Sequence, residues 1–428
     1  MRKAGWYAVA IFAVAFCLRA AAAWKNGAFA GPELAPGTEM ELIAASLVHS
    51  GEYANPFYAG QTGPSAHATP VYPLYLAALY ALLGTGALSA VARVLITCAV
   101  SALRCTLILF FALDAGLGRA VSVLATILSV FYAGALSTEV QGHTDGAWLS
   151  LAIVALVWMA MRIWREGEWK TRTPWMFSAL CGFCVLLNPG TLPVIAALVA
   201  AGAIACASKL RMRYLRQAAL VALTIFVCLL PWAIRNYVTF GKLIWTRSNF
   251  GLEFWLSNGP GRTYDLPSNI GYGEHPVAEH PFFNREEAAR VAESGEIKYN
   301  QERLRETLDW VRENPADFLL LTGQRFLAWW FPPGAAIVVA VKLVLTLLAF
   351  IGLGLLFRIQ PIVAWLFLLT WITYPDIYYV IQWSSRYRLP MDWQLLVCAA
   401  VTLSAAWGWA ARRVGMDQPK REGVITGA

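Results

Sequence analysis

The feature that most limits this chain is a series of predominantly apolar stretches, each roughly 17–25 residues long, the length a helix needs to cross a hydrocarbon layer about 30 Å thick. The stretches lie near residues 6–23, 88–113, 119–137, 146–164, 217–235, 335–357, 361–381 and 392–411. In lipid, every backbone N–H and C=O must find a partner inside the protein, so such stretches are helical. Composition agrees. Of 428 residues, 58% are hydrophobic and 14% charged, which is more apolar than a water-covered surface permits.

Charge settles two ambiguous stretches. Residues 71–84, VYPLYLAALYALLG, would rise only about 21 Å as a helix, too short to cross. Residues 174–207 are too long for one span and carry Asn188-Pro189-Gly190, a turn signal, in the middle. Suppose the first is an interfacial helix, the second a hairpin, and Met1-Arg2-Lys3 cytoplasmic. The Arg119 turn, the clusters RIWREGEWKTR (162–172) and KLRMRYLR (209–216), Arg358 and the tail from Arg412 to Lys420 then share the cytoplasmic side. Either other choice moves KLRMRYLR across.

The expected fold is therefore an all-α polytopic membrane protein with about ten transmembrane helices, interfacial helices and a partly helical outer segment. The first span reads as uncleaved and both termini as cytoplasmic. Three segments face outward: 24–87, 137–145 and 237–316, the last approaching the membrane again at 317–333. The chain divides into an N-terminal membrane domain (1–235), an outer segment (236–333) and C-terminal helices with a cytoplasmic tail (334–428). The net charge of +8 falls largely in the cytoplasmic loops, which sets nucleic acid aside as a partner and leaves the lipid bilayer.

All eight cysteines lie in apolar runs, so neither disulfides nor structural zinc are expected. Cys181-Gly-Phe-Cys184 reads as small-residue helix packing. There is no Walker loop, dinucleotide fingerprint, HExxH or serine-nucleophile elbow. No cofactor is expected, and a divalent metal stays open.

The chemistry must then lie in the outward segments. Residues 37–50, GTEMELIAASLVHS, read as an amphipathic helix with Met40, Ile43, Ala44, Leu47 and Val48 on its apolar side. Thr38 and Glu41 fit a capping box, which leaves Glu39 in the first turn without a capping duty and able to take a proton from a hydroxyl. The turn STEVQGHTDGAWL offers Glu139, His143 and Asp145, the last also placed to cap the following span. In PWAIRNYVTFGKLIWTRSNFGLEFWLSNGPG, Arg235 and Arg247 stand among Asn249, Trp245 and Trp255 beside a span end. Arginine suits bidentate phosphate binding and tryptophan a sugar face, although an aromatic belt with snorkelling arginines would look the same. Residues 297–313 read as a polar amphipathic helix with Leu304, Leu308 and Val311 on one side and Glu302, Arg305, Glu306, Asp309 and Arg312 as a solvated face. In WSSRYRLPMDW, Arg386 and Arg388 are basic residues on the outer side, where an anionic ligand would explain them.

Taken in order, these pieces resemble the membrane glycosyltransferases of the C-type superfold. The likeness is to bacterial relatives of the dolichyl-phosphate-mannose–protein mannosyltransferases and the lipid A aminoarabinose transferases. The matching segments are TEMELIAASLVHSGEYANPF, GPSAHATPVYPLYLAALYALLG, HTDGAWLSL, LLNPGTL, PWAIRNYVTFGKLIWTRSNFGLEFWLSN, EHPFFNREE, SGEIKYN and SRYRLPMDW. The resemblance implies a catalytic acid in the first outer loop and another in the second, here Glu39 and Asp145. It also implies a polyprenyl-phosphate sugar donor and a lipid, glycan or protein acceptor at the outer face of the bacterial cytoplasmic membrane. The sequence departs from the pattern where Thr38 precedes Glu39 and where His67-Ala68-Thr69-Pro70 replaces an aromatic and paired prolines.

On this reading Arg235, Arg247, Arg386 and Arg388 would hold the donor phosphate, and His67, Asn249 and Trp255 would contact sugar or acceptor. A polymerase or ligase of like architecture would share these features. A non-enzymatic transporter or flippase would instead pair charges in mid-span; Arg104 and Lys342 are the mid-span candidates, with no obvious acid facing them. The topology has a direct test. In intact cells an impermeant thiol reagent should modify Ser268→Cys and leave Gly167→Cys untouched; labelling at Gly167→Cys would reverse the assignment.

Overall fold

The computed structural model of the chain describes residues 2–29, 37–142, 144–166, 173–205, 211–270 and 279–413. His143, Gly167 with the rest of 167–172, Cys206, Lys209 and the tail beyond residue 413 lie outside the described residues. The first half comprises α1 (Arg2–Lys25), α2 (Glu39–Ser50), α3 (Val71–Leu83), α4 (Ala87–Asp114), α5 (Arg119–Val130), α6 (Ala133–Ser137), α7 (Gly146–Glu166), α8 (Thr173–Leu187), α9 (Leu192–Ala205) and α10 (Arg211–Phe240). The second comprises α11 (Phe250–Ser257), α12 (Leu266–Ile270), α13 (Arg285–Ser294), α14 (Glu296–Glu313), α15 (Pro315–Trp330), α16 (Ala336–Ile359), α17 (Pro361–Thr373), α18 (Asp376–Val380) and α19 (Ser385–Arg413). Among the described residues there is no strand beyond two isolated bridges.

The chain is a multi-pass helical membrane protein. Seven of the described helical stretches are long and apolar enough to cross a membrane: α1, α4, α5 with α6, α7, α10, α16 and α19. Of the other expected spans, α17 has 13 residues, and α8 and α9 are described over Thr173–Leu187 and Leu192–Ala205. The 174–207 stretch is indeed a hairpin, α8 and α9, turning at Asn188, whose side-chain oxygen accepts the Gly190 N–H at 3.0 Å. The 361–381 stretch is not one span. Helix α17 ends at Thr373, because Pro375 offers no N–H to continue the ladder, and α18 follows as a separate turn. The main core packs the apolar faces of α4, α7, α8, α17 and α19, with buried Phe111, Phe367 and Trp393 in edge contact at 5.1–5.2 Å. Cys181 and Cys184 are buried in it on α8.

Buried charges cross-link the bundle. Arg104 of α4 forms a bidentate pair with Glu139, at 2.7 and 2.9 Å, and Ser101 donates to the same carboxylate at 3.0 Å. Arg19 of α1, fully buried, donates to Ser101 at 2.5 Å and to carbonyls of Ser129 and Val130. The expectation that no acid faces Arg104 is thus overturned: Glu139 arrives from a turn 35 residues away in sequence. Lys342 has no ion pair among the described residues.

The segments 37–83, 137–145 and 241–333 gather at one end of the bundle. Tyr72 donates to the Gly142 carbonyl at 2.6 Å and Thr69 to that of Leu187 at 2.8 Å, while Ser65 reaches Glu296 at 2.6 Å. Gly142 has φ +67° and abuts Thr97, so a side chain there would strain the turn and collide. Helix α14 exposes Arg305, Glu306, Asp309 and Arg312, as the solvated face requires, and it buries Tyr299, Asn300, Arg303 and Thr307 rather than Leu308, which is exposed. The reason is a polar partner face: Arg303 sits 4.0 Å over the Trp255 ring and pairs with Glu287 at 2.5 Å.

Removing Glu139 would leave Arg104 buried without its anion, a defect that typically costs about 3–5 kcal/mol. Glu139→Ala should therefore lower the thermal unfolding midpoint of the detergent-purified protein by several degrees. A midpoint within a degree of wild type would mean that the pair does not hold the bundle.

Candidate functional site

A cavity of ≈ 140 Å³ opens where the three loop segments meet the helix ends. Each wall is set by a local rule. Helix α2 begins at Glu39 because Thr38 is extended and forms a capping box with Glu41: the Thr38 N–H donates to the Glu41 carboxylate at 2.8 Å. Glu41 also pairs with buried Arg93 of α4, which fixes the helix against the bundle. That leaves Glu39, partly accessible, facing the cavity. Asp145 stands immediately before α7; its carbonyl accepts the Leu149 N–H at 2.9 Å, and its buried carboxylate lies on the cavity wall, approached by Asn188 at 3.4 Å. The hairpin turn thus delivers Asn188 to the same place.

Two arginines complete the site. Arg247, on the loop after α10, lines the cavity with no ion pair or hydrogen bond to another described residue. Arg386, near the start of α19, makes only a 3.4 Å contact with the Tyr387 hydroxyl, and its Nε has no hydrogen-bond partner. A stack of rings backs it, Trp329 on Tyr378 at 5.4 Å and Tyr378 on Tyr387 at 4.7 Å. His67 and Asn249 are buried cavity residues. His67 packs edge-on to Phe57 at 5.2 Å with an unpartnered Nδ1, and Asn249 donates to Glu253 at 3.2 Å.

Of the expected site residues, the structure brings together Glu39, Asp145, Arg247, Arg386, His67 and Asn249. It places three elsewhere. Arg235 donates to the carbonyls of Ser65 at 2.6 Å and Tyr53 at 2.8 Å and lies against the Trp232 ring, so it ties the first loop to α10. Arg388 is buried, pairs with Asp392 at 2.7 Å and donates to the Trp329 carbonyl at 2.9 Å; its charge is already spent inside the bundle. Trp255 lies under Arg262 and Arg303, away from the cavity. Glu253, Tyr374 and Tyr378 line the site without having been singled out. Glu253 carried a signal: it is the one acid in the apolar helix FGLEFWLS.

The electrostatics divide the cavity into poles. Burial pushes the Asp145 and Glu253 carboxyls above their ordinary ranges, and the Arg247 charge pulls both back. Burial drives the His67 imidazole down to about 4, with Glu39 opposing, and also lowers His280. Among the described residues no three His, Cys, Asp or Glu side chains are grouped to hold a metal ion.

The chain shares its fold with the oligosaccharyltransferase AglB from Archaeoglobus fulgidus, solved in complex with an inhibitory peptide and a dolichol-phosphate. The match has TM-score 0.57 and 14% identity over 96% of this chain and 52% of that one. The apo form of the Archaeoglobus fulgidus enzyme gives 0.55 with the same identity and coverage. ArnT from Cupriavidus metallidurans, bound to undecaprenyl phosphate, gives 0.42 at 17% identity over 97% and 81% of the two chains. The chain thus spans about half the length of the archaeal enzyme. No protein-family profile and no curated protein sequence matches it.

The buried His67 has a pH signature. Its folded pKa, about 4, lies below the unfolded value of 6.5, so between these the unfolded chain binds the extra proton. Stability due to neutral His67 is complete above pH 6.5 and is lost as pH falls toward 4. The melting-temperature difference between wild type and His67→Gln should shift toward the variant over that range. A difference independent of pH would mean that His67 is not buried as neutral imidazole.

Proposed function

We propose that the protein transfers a sugar from a polyprenyl-phosphate carrier to a hydroxyl acceptor at the outer face of the cytoplasmic membrane. The observation that carries this reading is the juxtaposition, in one cavity, of accessible Glu39 and buried Asp145 with two arginines that make no ion pair among the described residues. A fold shared with an oligosaccharyltransferase solved with dolichol-phosphate supports the same lipid-linked chemistry. The charge parity of the loops supports the outer side.

In this mechanism Glu39 accepts the proton of the acceptor hydroxyl. The oxygen forms a bond to the anomeric carbon as the bond from that carbon to the phosphate oxygen breaks, and the polyprenyl phosphate leaves with the electron pair. A single displacement of this kind inverts the anomeric configuration. Arg247 and Arg386 stabilise the charge that gathers on the leaving phosphate, where fixed donors contribute most. Asp145, held by Asn188, orients the acceptor or Glu39. The buried Arg104–Glu139 pair is the kind of mid-span pairing the flippase reading expects; what favours a transferase is the accessible Glu39 facing arginines that make no ion pair among the described residues.

The test is sugar transfer by purified protein from a polyprenyl-phosphate-linked donor. Glu39→Gln keeps shape but removes the basic oxygen, and should slow transfer by about 10²–10⁴-fold with donor binding retained. Glu41→Gln should act mainly on stability. If Glu39→Gln stays within a few-fold of wild type while Asp145→Asn is inactive, the base is in the second turn. Full activity in both variants would remove the mechanism.

A further inference from the structure

Arg247 is held in the cavity with no ion pair or hydrogen bond of its own among the described residues, so its position must come from its backbone neighbours. Those neighbours converge on one buried carboxylate outside the cavity. Glu296, the first residue of α14, accepts the Ser248 hydroxyl at 2.5 Å, the Ser65 hydroxyl at 2.6 Å and the Ala66 N–H at 2.8 Å. Ser248 follows Arg247 directly, and its N–H donates to the Ala66 carbonyl at 2.9 Å. The His67 N–H in turn donates to the Ser65 hydroxyl at 2.9 Å. One carboxylate therefore clamps the first loop and the third segment at the two points next to His67 and Arg247.

The following turn of the same helix acts on the third wall. The Asn300 side-chain oxygen accepts the Leu252 N–H at 3.0 Å, one residue before Glu253. Gly251 makes that approach possible, since a Cβ there would lie 1.9 Å from the Asn300 carbonyl oxygen. Neither Glu296 nor Asn300 lines the cavity.

We infer that Glu296 is a positioning residue, which sets Arg247 in register with the opposite wall so that the cavity can grip a phosphate. The inference rests on the reading of Arg247 as a phosphate holder. The chemistry explains why an acid stands here. A carboxylate offers about four acceptor sites and no donor, which suits three converging donors. A glutamine could keep its oxygen on the Ala66 N–H and the Ser248 hydroxyl, but its NH₂ would then face the Ser65 hydroxyl, which already accepts the His67 N–H and would lose its own acceptor.

The experiment uses the full chain in detergent and a short-chain polyprenyl phosphate without sugar as the probe, with binding and thermal midpoint measured on the same samples. Arg247→Ala should weaken binding by about tenfold or more, as loss of a charged hydrogen bond does. Ser248→Ala, which leaves Glu296 and the first loop intact, and Glu296→Gln should each weaken it by roughly three- to tenfold. In the Arg247→Ala background Glu296→Gln should add less than about twofold, because the residue acts through Arg247. Rescue of part of the affinity by Glu296→Asp would agree.

A merely structural Glu296 would lower the midpoint and leave the affinity of the folded fraction unchanged; that result overturns the inference. So does full additivity with Arg247→Ala, which would mean a separate route. If Arg247→Ala itself binds the probe like wild type, the phosphate reading fails first and this inference falls with it.

Discussion

An arginine among membrane helices must find an anion or a set of carbonyls, because an unpaired charge in a dry interior is far costlier than one in water. The pair of Arg104 with Glu139 is the point on which much of this structure depends. Glu139 sits in the turn between two spans, and its carboxylate binds α4 through Arg104 and Ser101, with α1 joined through Arg19 and Ser101. Asp145 lies six residues later on the same turn. The second loop is therefore anchored by electrostatics buried in the bundle, and the candidate acid it carries inherits that rigidity.

The same rule sorts the arginines. Arg93 has Glu41, Arg104 has Glu139, Arg388 has Asp392, and Arg19, Arg235 and Arg325 are surrounded by acceptors of the protein itself. Arg247 and Arg386 stand apart, with no acid partner and with a cavity in front of them. Neither forms an ion pair among the described residues, although Glu39, Asp145 and Glu253 line the same cavity. Sequence position did not separate Arg386 from Arg388, since both precede Pro390 on the same turn. Helix rotation did: Arg388 points to Asp392 one turn on, whereas Arg386 points to Tyr387 and the cavity.

Much of the framework was legible because it obeys local rules. Seven of the long apolar stretches, the Asn188 turn and the Thr38–Glu41 box each depend on residues near in sequence and appear where the sequence places them, whereas the 361–381 stretch breaks after Thr373. The unread parts depend on partners distant in the chain. Glu139 and Arg104 are 35 residues apart, and nothing in either segment names the other. The buried face of α14 is not given by apolar periodicity, since this helix buries Tyr299, Asn300 and Arg303, with Arg303 over the Trp255 ring and paired with Glu287. Glu253 was passed over for a related reason: its value lies in the wall it completes, which only the packing of α11 on α14 creates.

Helix ends bring the polar groups to the cavity. Asn188 stands where α8 turns into α9, Tyr374 just beyond α17, Asp145 just before α7 and Arg386 near the start of α19, and all four line it. Backbone that leaves a helix among apolar spans must be covered by protein or by water in a cavity. The Asn188 turn meets that demand in part within itself, since its side-chain oxygen accepts the Gly190 N–H while its NH₂ reaches Asp145. The same breaks in the helices that a bundle must cover are therefore what place acids, an amide and an arginine around one space.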